Sequence, residues 1–201
     1  KDAIIGILLV SLGAGAAGAL NMWYESDLDA LMTRTCLRPI PTGQVTKNQA
    51  LLFGTMLTFG SVSLLYFSSN LISASLLLFT IGFYFFIYTV WLKRRTPQNI
   101  VIGGAAGALP PVIGWTIATG TLTIEPLILF LIIFLWTPSH FWALSIYKSN
   151  DYKKANIPML PIIYGVTKTK KNIFIYSLLM LPTISAPYFK SFLSKVYFYP
   201  A

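Results

Sequence analysis

The residues best suited to chemistry lie in the polar stretch from Asn21 to Gly43, within a sequence that is otherwise strongly apolar. Three of the six acidic residues in the chain, Glu25, Asp27 and Asp29, fall within five positions here. On a helix, Asn21, Glu25 and Asp29 are spaced i, i+4 and i+8 and therefore share one face. Mg²⁺ is usually held by one or two carboxylates together with substrate phosphates. This spacing predicts that the three side chains bind a magnesium ion.

Two arginines follow this acidic face. Arg34 and Arg38 precede Pro39 and Pro41, and these prolines end any helix that reaches them. Asp27 points away from the shared face, and we expect it to form a salt bridge with Arg34 or Arg38. Together the carboxylates and cations indicate a site for a divalent metal and a phosphate at a membrane surface. The alternative is a solvated helix end whose acidic and basic residues pair with each other.

A second polar group runs from Tyr88 to Asn99. Lys93, Arg94 and Arg95 are adjacent there, and three neighbouring cations are able to bind a diphosphate. The same charges also act as a topology signal beside a membrane span, and the sequence alone leaves both interpretations open.

A third polar group surrounds His140, the only histidine in the chain. Trp136, Phe141 and Trp142 lie beside it and are suited to wall a flat aromatic ligand. Haem is one such ligand, because imidazole can ligate iron, but a lone histidine in a membrane helix is more often a hydrogen-bonded interior residue. Asp151 is the only acid in the loop beyond. A carboxylate opposite the first acidic group would allow a second Mg²⁺ to bridge the same diphosphate.

The composition defines the elements that must position these groups. The chain has 201 residues, of which 55% are hydrophobic and only 10% are charged, against about 25% charged residues in a soluble domain. We therefore expect an all-α polytopic membrane protein, because helices satisfy their backbone hydrogen bonds within lipid. Six apolar stretches are each about 20 residues long, enough to cross a bilayer. They lie near 3–22, 50–69, 71–92, 100–119, 126–147 and 172–189.

The positions of the cations predict how the chain is oriented. Twelve of the fifteen Lys and Arg residues fall in three alternate loops, which therefore share one side of the membrane. By the positive-inside rule these loops are expected to be cytoplasmic. Confinement of the charge to loops also argues against a nucleic-acid partner, despite the net charge of +9. The opposite side is left with Lys1, Lys190 and Lys195.

Small residues and prolines within the spans predict local packing. The small-residue runs Gly13–Ala19 and Gly103–Gly107 allow close approach of helices, and we expect packing rather than ligand binding from them. Prolines inside spans are expected to bend the helices. These are Pro110, Pro111, Pro138, Pro182 and Pro187.

All three polar groups are predicted on the same side of a hydrophobic interior. Carboxylates, metal and cations at that position suit a lipid diphosphate, while the spans shelter its tail and a reactive carbocation from water. The sequence has no Ser/His/Asp or Cys/His arrangement, no phosphate-binding glycine loop and no zinc spacing. Its single cysteine, Cys36, excludes an internal disulfide.

Three motifs make the sequence resemble the intramembrane aromatic prenyltransferases of the UbiA superfamily, and in particular their haem branch. N-x-x-x-[D/E]-x-x-x-D begins at Asn21, and RT-x-x-RP-x-P-x-G runs from Arg34 to Gly43. YT-x-x-LKR-x-T-x-x-N begins at Tyr88, and TP-x-HFWAL is followed by DY-x-x-A-x-IPMLP, which ends at Pro161. These matches cover most of residues 14–165, and HFW and IPMLP are the elements typical of the haem branch.

The resemblance implies a ring-like helix bundle in the bacterial inner membrane, which uses Mg²⁺ and farnesyl diphosphate to alkylate the 2-vinyl group of haem b. The modified haem would then serve assembly of a terminal oxidase. The implied catalytic and metal-binding residues are Asn21, Glu25, Asp29 and Asp151. The implied substrate-binding residues are Arg34, Arg38, Tyr88, Lys93, Arg94, Asn99, His140, Trp142 and Lys153.

The chain departs from the family pattern in three ways. Glu25 stands where aspartate is commoner, and Asn150 stands where an acid often precedes Asp151. Family members have about nine spans, so we expect residues 1–201 to form one transmembrane domain that lacks the first helix and the last two.

Two other functions remain open. One is prenylation of another aromatic acceptor, such as a quinone precursor, and the other is haem binding or transport without catalysis.

Overall fold

A computed structural model describes residues 2–189 of the chain, with side chains for 3–187. All regular structure in this range is helical, which confirms the predicted all-α class. Lys1, Lys190 and Lys195 lie outside the described residues. The elements are α1 (Asp2–Tyr24), α2 (Ser26–Asp29), α3 (Lys47–Ser68), α4 (Leu71–Gly82), a π-helix (Phe83–Leu92), α5 (Asn99–Ala108), α6 (Pro110–Thr119), α7 (Ile124–Tyr147), α8 (Ser149–Lys154) and α9 (Leu160–Phe189).

Five helical segments in the described part of the chain are long and apolar enough to cross a membrane. They confirm the first five predicted spans to within a few residues. The sixth predicted span, 172–189, is helical within α9, but α9 is not among the five. The five are Ala3–Tyr24, Lys47–Ser68, Leu71–Leu92, Asn99–Thr119 and Ile124–Tyr147.

Side-chain caps define where two of the spans begin. Thr46 caps α3 in a capping box, in which its hydroxyl accepts from the Gln49 backbone N–H and the Gln49 side chain accepts from the Thr46 backbone. Asn70 caps α4, its Oδ1 accepting from the Ser73 backbone N–H at 2.8 Å. Because only Ser69 and Asn70 separate α3 from α4, these two spans run antiparallel.

Small residues bring the helices together as predicted. A Cβ placed on Gly13 of α1 would lie 2.7 Å from Leu77 Cδ1 of α4, and one on Gly104 of α5 would lie 2.9 Å from Thr137 Cγ2 of α7. Leu77 belongs to a buried apolar core between α1, α3, α4 and α6 that also contains Leu65 and Ile113. Close backbone approach therefore supplies the packing that apolar surface alone does not drive in lipid.

One of the predicted spans is interrupted at a proline, whereas other helices continue through theirs. Pro110 occupies the first turn of α6, and the fourth predicted span is broken into α5 and α6 at Leu109, as a proline-induced break requires. Helix α7 continues through Pro138, and α9 continues through Pro182. The irregular point in α9 is instead Gly165, with φ 80° and ψ 165°.

A second buried core lies at the end of the bundle where the cation-rich loops meet. It combines residues from the α2 region, the start of α5 and the segment between α7 and α9. The three loops are therefore at one end of the bundle, as the alternation of spans predicts. The core residues are Leu28, Met32, Ile100, Tyr152, Ala155, Ile157 and Met159.

Candidate active site

The acidic residues of the first motif keep their helical spacing although the helix is interrupted between them. Helix α1 ends at Tyr24 and α2 begins at Ser26, but the i, i+4 spacing continues through Glu25. The Glu25 N–H donates to the Asn21 carbonyl at 2.9 Å, and the Asp29 N–H donates to the Glu25 carbonyl at 2.8 Å. Asn21, Glu25 and Asp29 are 6%, 1% and 1% exposed. Two ionisable carboxylates are thus buried side by side, which requires nearby cations or a metal.

Lys93 supplies the cation for Glu25. Its ammonium group contacts Glu25 Oε2, and Asn21 Nδ2 donates to the same oxygen at 2.8 Å. Asn21 Nδ2 also donates to Thr89 Oγ1 at 3.0 Å, so the first motif contacts both the π-helix and Lys93, the residue that directly follows it. Glu25 Oε1 is buried and has no hydrogen-bond partner within the described chain.

Arg38 supplies the cation for Asp29. Arg38 Nη1 lies 2.8 Å from Asp29 Oδ2 and 3.0 Å from Oδ1. Thr35 Oγ1 donates to the Asp29 backbone carbonyl at 3.0 Å and fixes the loop that carries the arginine. Each buried carboxylate therefore has its own cationic partner.

The partner expected for Asp27 was wrong. Asp27 pairs with Arg94, through Nη2–Oδ1 and Nη1–Oδ2 contacts of 2.9 and 3.0 Å. The reason is that Arg38 is taken by Asp29, whereas Arg94 reaches the outer side of α2. Burial raises the pKa of Asp27, but the hydrogen bonds and charge of Arg94 outweigh it and hold that pKa below its usual range. The hydrogen bond from Arg94 to Asp27 in turn raises the pKa of the guanidinium.

Asp151 connects the first loop to the third. Thr33 Oγ1 lies 2.7 Å from Asp151 Oδ1 and 2.6 Å from Oδ2 and donates to this carboxylate. This hydrogen bond holds the pKa of Asp151 below its usual range. Asp151 is 9% exposed and does not line the cavity described next, although its neighbour Tyr152 does.

A cavity of about 550 Å³ opens beneath these loops. Its polar end is formed by side chains of the first two motifs, and the rest of its wall is mostly apolar. The charged and amide residues are Asn21, Asp29, Arg34, Arg38, Lys93 and Asn99, and the hydroxyl residues are Thr35, Thr80 and Thr137. The predicted metal ligand Glu25 does not line the cavity and reaches it through Asn21 and Lys93. The aromatic residues are Tyr84, Tyr88, Trp136, Phe141 and Tyr152. A charged end above an aromatic and aliphatic interior suits an amphiphile with an anionic head and an apolar tail.

The π-helix presents Tyr88 and Lys93 to this cavity. The Lys93 N–H donates to the Tyr88 carbonyl at 2.9 Å, five residues earlier, which is the wide turn of a π-helix. The Tyr88 ring lies against Gly103, where an added Cβ would meet Tyr88 Cδ2 at 2.1 Å. Tyr84 and Tyr88 are neighbours, with ring centroids 5.4 Å apart. Glycine at position 103 is therefore what makes room for this aromatic wall.

Four predicted substrate-binding residues do not line the cavity. Arg94 is held by Asp27, and Lys153 is exposed on α8. Trp142 is 1% exposed and packs edge-on against Tyr176 of α9. His140 is exposed, and its ring stacks on Trp136 at 4.4 Å between centroids. His140 contacts the cavity wall through Trp136 and through Phe141, whose ring lies edge-on to the imidazole.

Several residues that hold or line the site are not among those predicted from the sequence. Thr33 and Thr89 fix Asp151 and Asn21, while Tyr84 and Tyr152 line the cavity. Tyr84 stands one helical turn before Tyr88, which is a usable signal. No sequence signal points to Thr33, because its partner is 118 residues away along the chain.

The donor set fits a single Mg²⁺ that shares its coordination with a phosphate. Among the described residues, no three His, Cys, Asp or Glu side chains are close enough to hold a metal by themselves. Mg²⁺ needs only one or two carboxylates when substrate phosphates and waters complete its shell. The buried, unpartnered Glu25 Oε1 beside Asn21 is an oxygen of the kind that Mg²⁺ prefers.

The sequence profile of the UbiA prenyltransferase family matches residues 1–201, and the chain belongs to that family. It is 72% identical over 201 residues to a protohaem IX farnesyltransferase of Pelagibacter ubique (strain HTCC1062). It is 58% identical over 185 residues, 92% of the chain, to a protein of the same name from Ehrlichia ruminantium (strain Gardel). The chain spans slightly less than two thirds of these relatives' own lengths, 66% and 63%.

Solved structures support the fold. A structure concerned with digeranylgeranylglyceryl phosphate synthase in membranes matches 96% of the chain and 67% of its own, with a TM-score of 0.77 and 19% identity. A UbiA homologue from Archaeoglobus fulgidus, solved with DMAPP and Mg²⁺, matches 92% of the chain and 65% of its own, with a TM-score of 0.73 and 16% identity. At these identities the match establishes the shared helical architecture.

Proposed function

We propose that the protein transfers a farnesyl group from farnesyl diphosphate to the 2-vinyl group of haem b. The observation that carries this proposal is the convergence of the three loops over one aromatic-walled cavity, with Asp29, Arg34, Arg38 and Lys93 at its polar end. The names of the P. ubique and E. ruminantium relatives support the choice of farnesyl donor and haem acceptor. Residues 1–201 act as one transmembrane domain of that protein.

The reaction balances without a further reactant besides water. The bond between C1 of the farnesyl group and the diphosphate oxygen breaks, and diphosphate leaves with the electron pair. A vinyl carbon of haem bonds to C1, and water adds to the resulting carbocation with loss of a proton. The products are hydroxyethylfarnesyl haem, which is haem O, and diphosphate.

Cationic side chains bind the diphosphate end. Arg34, Arg38 and Lys93 line the polar end of the cavity and stabilise negative charge as it develops on the leaving group. Asn21, Glu25 and Asp29 would hold Mg²⁺ there, and the ion would add a divalent charge against the departing diphosphate. The DMAPP and Mg²⁺ bound to the A. fulgidus homologue support this arrangement. A role for Asp151 as a further ligand requires its bond to Thr33 to open.

The aromatic wall serves the apolar part of the reaction. Tyr84 and Tyr88 face the cavity, and their rings stabilise a passing allylic cation through their electron-rich faces. Trp136 and Phe141 line another part of the wall and offer flat surfaces to the porphyrin. The closed apolar surroundings keep bulk water from the cation before the new carbon–carbon bond forms.

The site faces the cytoplasm of a bacterial inner membrane. Its loops carry twelve of the fifteen Lys and Arg residues, and cytoplasmic loops are the ones enriched in such cations. Both substrates partition into the bilayer, and the product passes on to assembly of a terminal oxidase.

The proposal is tested by extracting haems from membranes that carry the protein after incubation with haem b, farnesyl diphosphate and Mg²⁺. The chain is assayed alone and completed with the matching segments of the P. ubique relative, because it spans 66% of that protein. We expect a farnesylated haem that disappears in Asp29→Asn. Glu125→Gln, at the opposite end of α7, is the matched control and should retain the product. Absence of product from the completed chain, or its persistence in Asp29→Asn, contradicts the proposal.

A further inference from the structure

We infer that Lys93 and Arg38 pair with the buried carboxylates before substrate arrives and then move onto the diphosphate, so that metal and diphosphate strengthen each other's binding. This inference rests on the proposed function, because it concerns the same metal–diphosphate site. It adds an order of events and a coupling between metal binding and diphosphate binding, neither of which the proposed function requires.

Each carboxylate is already paired with a cation through an oxygen that a metal ion would otherwise use. Lys93 contacts Glu25 Oε2, and Arg38 Nη1 lies within 3.0 Å of both oxygens of Asp29. Both carboxylates are 1% exposed, so these cations neutralise charge that water does not reach. Of the four oxygens of these two carboxylates, only Glu25 Oε1 has no hydrogen-bond partner among the described residues.

A metal ion without diphosphate should bind weakly, because the charges at the site already balance. Two carboxylates and two cations cancel, so a divalent ion added to this group leaves an unbalanced double positive charge. Repulsion between charges a few ångströms apart is strong in a poorly solvated site. A diphosphate reverses the balance, because its negative charges attract the metal, the ammonium and the guanidinium together.

The two cations are placed to make the exchange without leaving the site. Lys93 and Arg38 both line the cavity as well as pairing with their carboxylates. Their side chains are 16% and 33% exposed, so each has space on the cavity side to turn towards an anion. Lys93 moves on a flexible four-carbon stem, and the Arg38 guanidinium fits the paired oxygens of a phosphate.

The exchange requires metal and diphosphate to strengthen each other's binding. A diphosphate that draws Lys93 and Arg38 away frees carboxylate oxygens for the metal. Linkage then demands that the metal raise the affinity for diphosphate by the same factor. Couplings of this kind typically change affinity about 5- to 150-fold.

The test measures Mn²⁺ binding by electron paramagnetic resonance in lipid nanodiscs, with and without inorganic diphosphate. For the unmodified protein we expect diphosphate to tighten Mn²⁺ binding by about tenfold or more. Lys93→Met should bind Mn²⁺ alone about tenfold more tightly than the unmodified protein and should lose most of the effect of diphosphate. Arg38→Met provides the same test at Asp29 if Lys93→Met fails to fold, which circular dichroism detects.

Arg95→Met is the matched control, because it removes one positive charge from the same exposed loop away from the cavity. Its Mn²⁺ binding should follow the unmodified protein. If folded Lys93→Met and Arg38→Met bind Mn²⁺ alone no more tightly than the control, the exchange is contradicted while the metal site stands. If the unmodified protein binds no Mn²⁺ even with diphosphate, the proposed function fails as well.

Discussion

Thr33 and Asp151 are joined by a hydrogen bond, with the Thr33 hydroxyl 2.6 and 2.7 Å from the two carboxylate oxygens, although 118 residues separate them along the chain. This bond fastens the first cation-rich loop to the third. Met32 and Tyr152, the neighbours of the two bonded residues, are both buried in the core beneath the loops and both line the cavity. The bond therefore helps to hold the wall of the cavity in place.

Removal of this bond should be visible in the titration of Asp151. The folded pKa is depressed by the Thr33 hydroxyl, so the bond stabilises the fold above the unfolded pKa of about 3.9, and this contribution is lost as pH falls through the folded pKa. Thr33→Val should raise the folded pKa towards 3.9. Carbon-13 labelling of the four aspartates allows the titration to be followed by NMR. Asp27, held by Arg94, provides the internal reference, and an unchanged Asp151 titration in Thr33→Val argues against the bond.

Gly103 should not tolerate a methyl group. Gly103→Ala would drive a Cβ into the Tyr88 ring, and overpacking of this kind costs about 1–3 kcal/mol of stability. Detergent unfolding followed by circular dichroism measures the loss. Gly114→Ala in α6 is the control, since nothing lies within 4 Å of its added Cβ, and it should be neutral or stabilising. Equal stability of the two variants would mean that Tyr88 does not lie on Gly103.

Asn70 should be a main contributor to stability at the end of the bundle remote from the site. It caps α4, and its Nδ2 donates to the Thr116 carbonyl of α6 at 2.8 Å. Asn70→Ala should lower the free energy of unfolding by about 1–2 kcal/mol, through loss of the cap and of an interhelical hydrogen bond. Ser68→Ala is the control, because the exposed Ser68 bonds only within α3, to the Leu64 carbonyl. A cost for Asn70→Ala no larger than that for Ser68→Ala would contradict this assignment.

Arg94 should matter little to turnover, whereas Arg38 should matter greatly. The Arg94–Asp27 pair lies outside the cavity with side chains 35% and 55% exposed, and such pairs contribute less than about 1 kcal/mol. Arg94→Met should change kcat/KM less than about threefold, while Arg38→Met should reduce it at least about a hundredfold, by loss of a charged contact to the diphosphate. Steady-state kinetics in nanodiscs separate the two, and a severe defect in Arg94→Met would place that residue at the substrate.

The helical fold and the arrangement of several side chains in the candidate site could be predicted from the sequence for clear physical reasons. Apolar runs of membrane length and cations confined to alternate loops restrict the fold strongly, and five spans follow from them. The shared face of Asn21, Glu25 and Asp29 depends only on helical spacing, which the backbone keeps through the break at Glu25. Spacing within one helix is a local property, and it is therefore readable from the sequence.

Ion pairs between residues of different loops could not be predicted from the sequence in this way. Asp27 was assigned to arginines close to it in sequence, but the fold brings it to Arg94, 67 residues away. Ion pairing has no sequence periodicity, so proximity in the chain was a poor guide. His140 and Trp142 illustrate the same limit, because the motif that contains them does not specify that the cavity meets Trp136 and Phe141 instead.

The most direct test of the account is the stoichiometry of products in membranes that carry the completed chain. Haem b and farnesyl diphosphate are supplied with Mg²⁺ or with a chelator, and farnesylated haem and free diphosphate are both quantified. A parallel sample replaces haem with a quinone precursor. We expect equal amounts of the two products with haem and Mg²⁺, and neither product with the chelator or with the quinone precursor. Transfer of the farnesyl group to the quinone precursor, or formation of farnesylated haem without a divalent ion, would contradict the account.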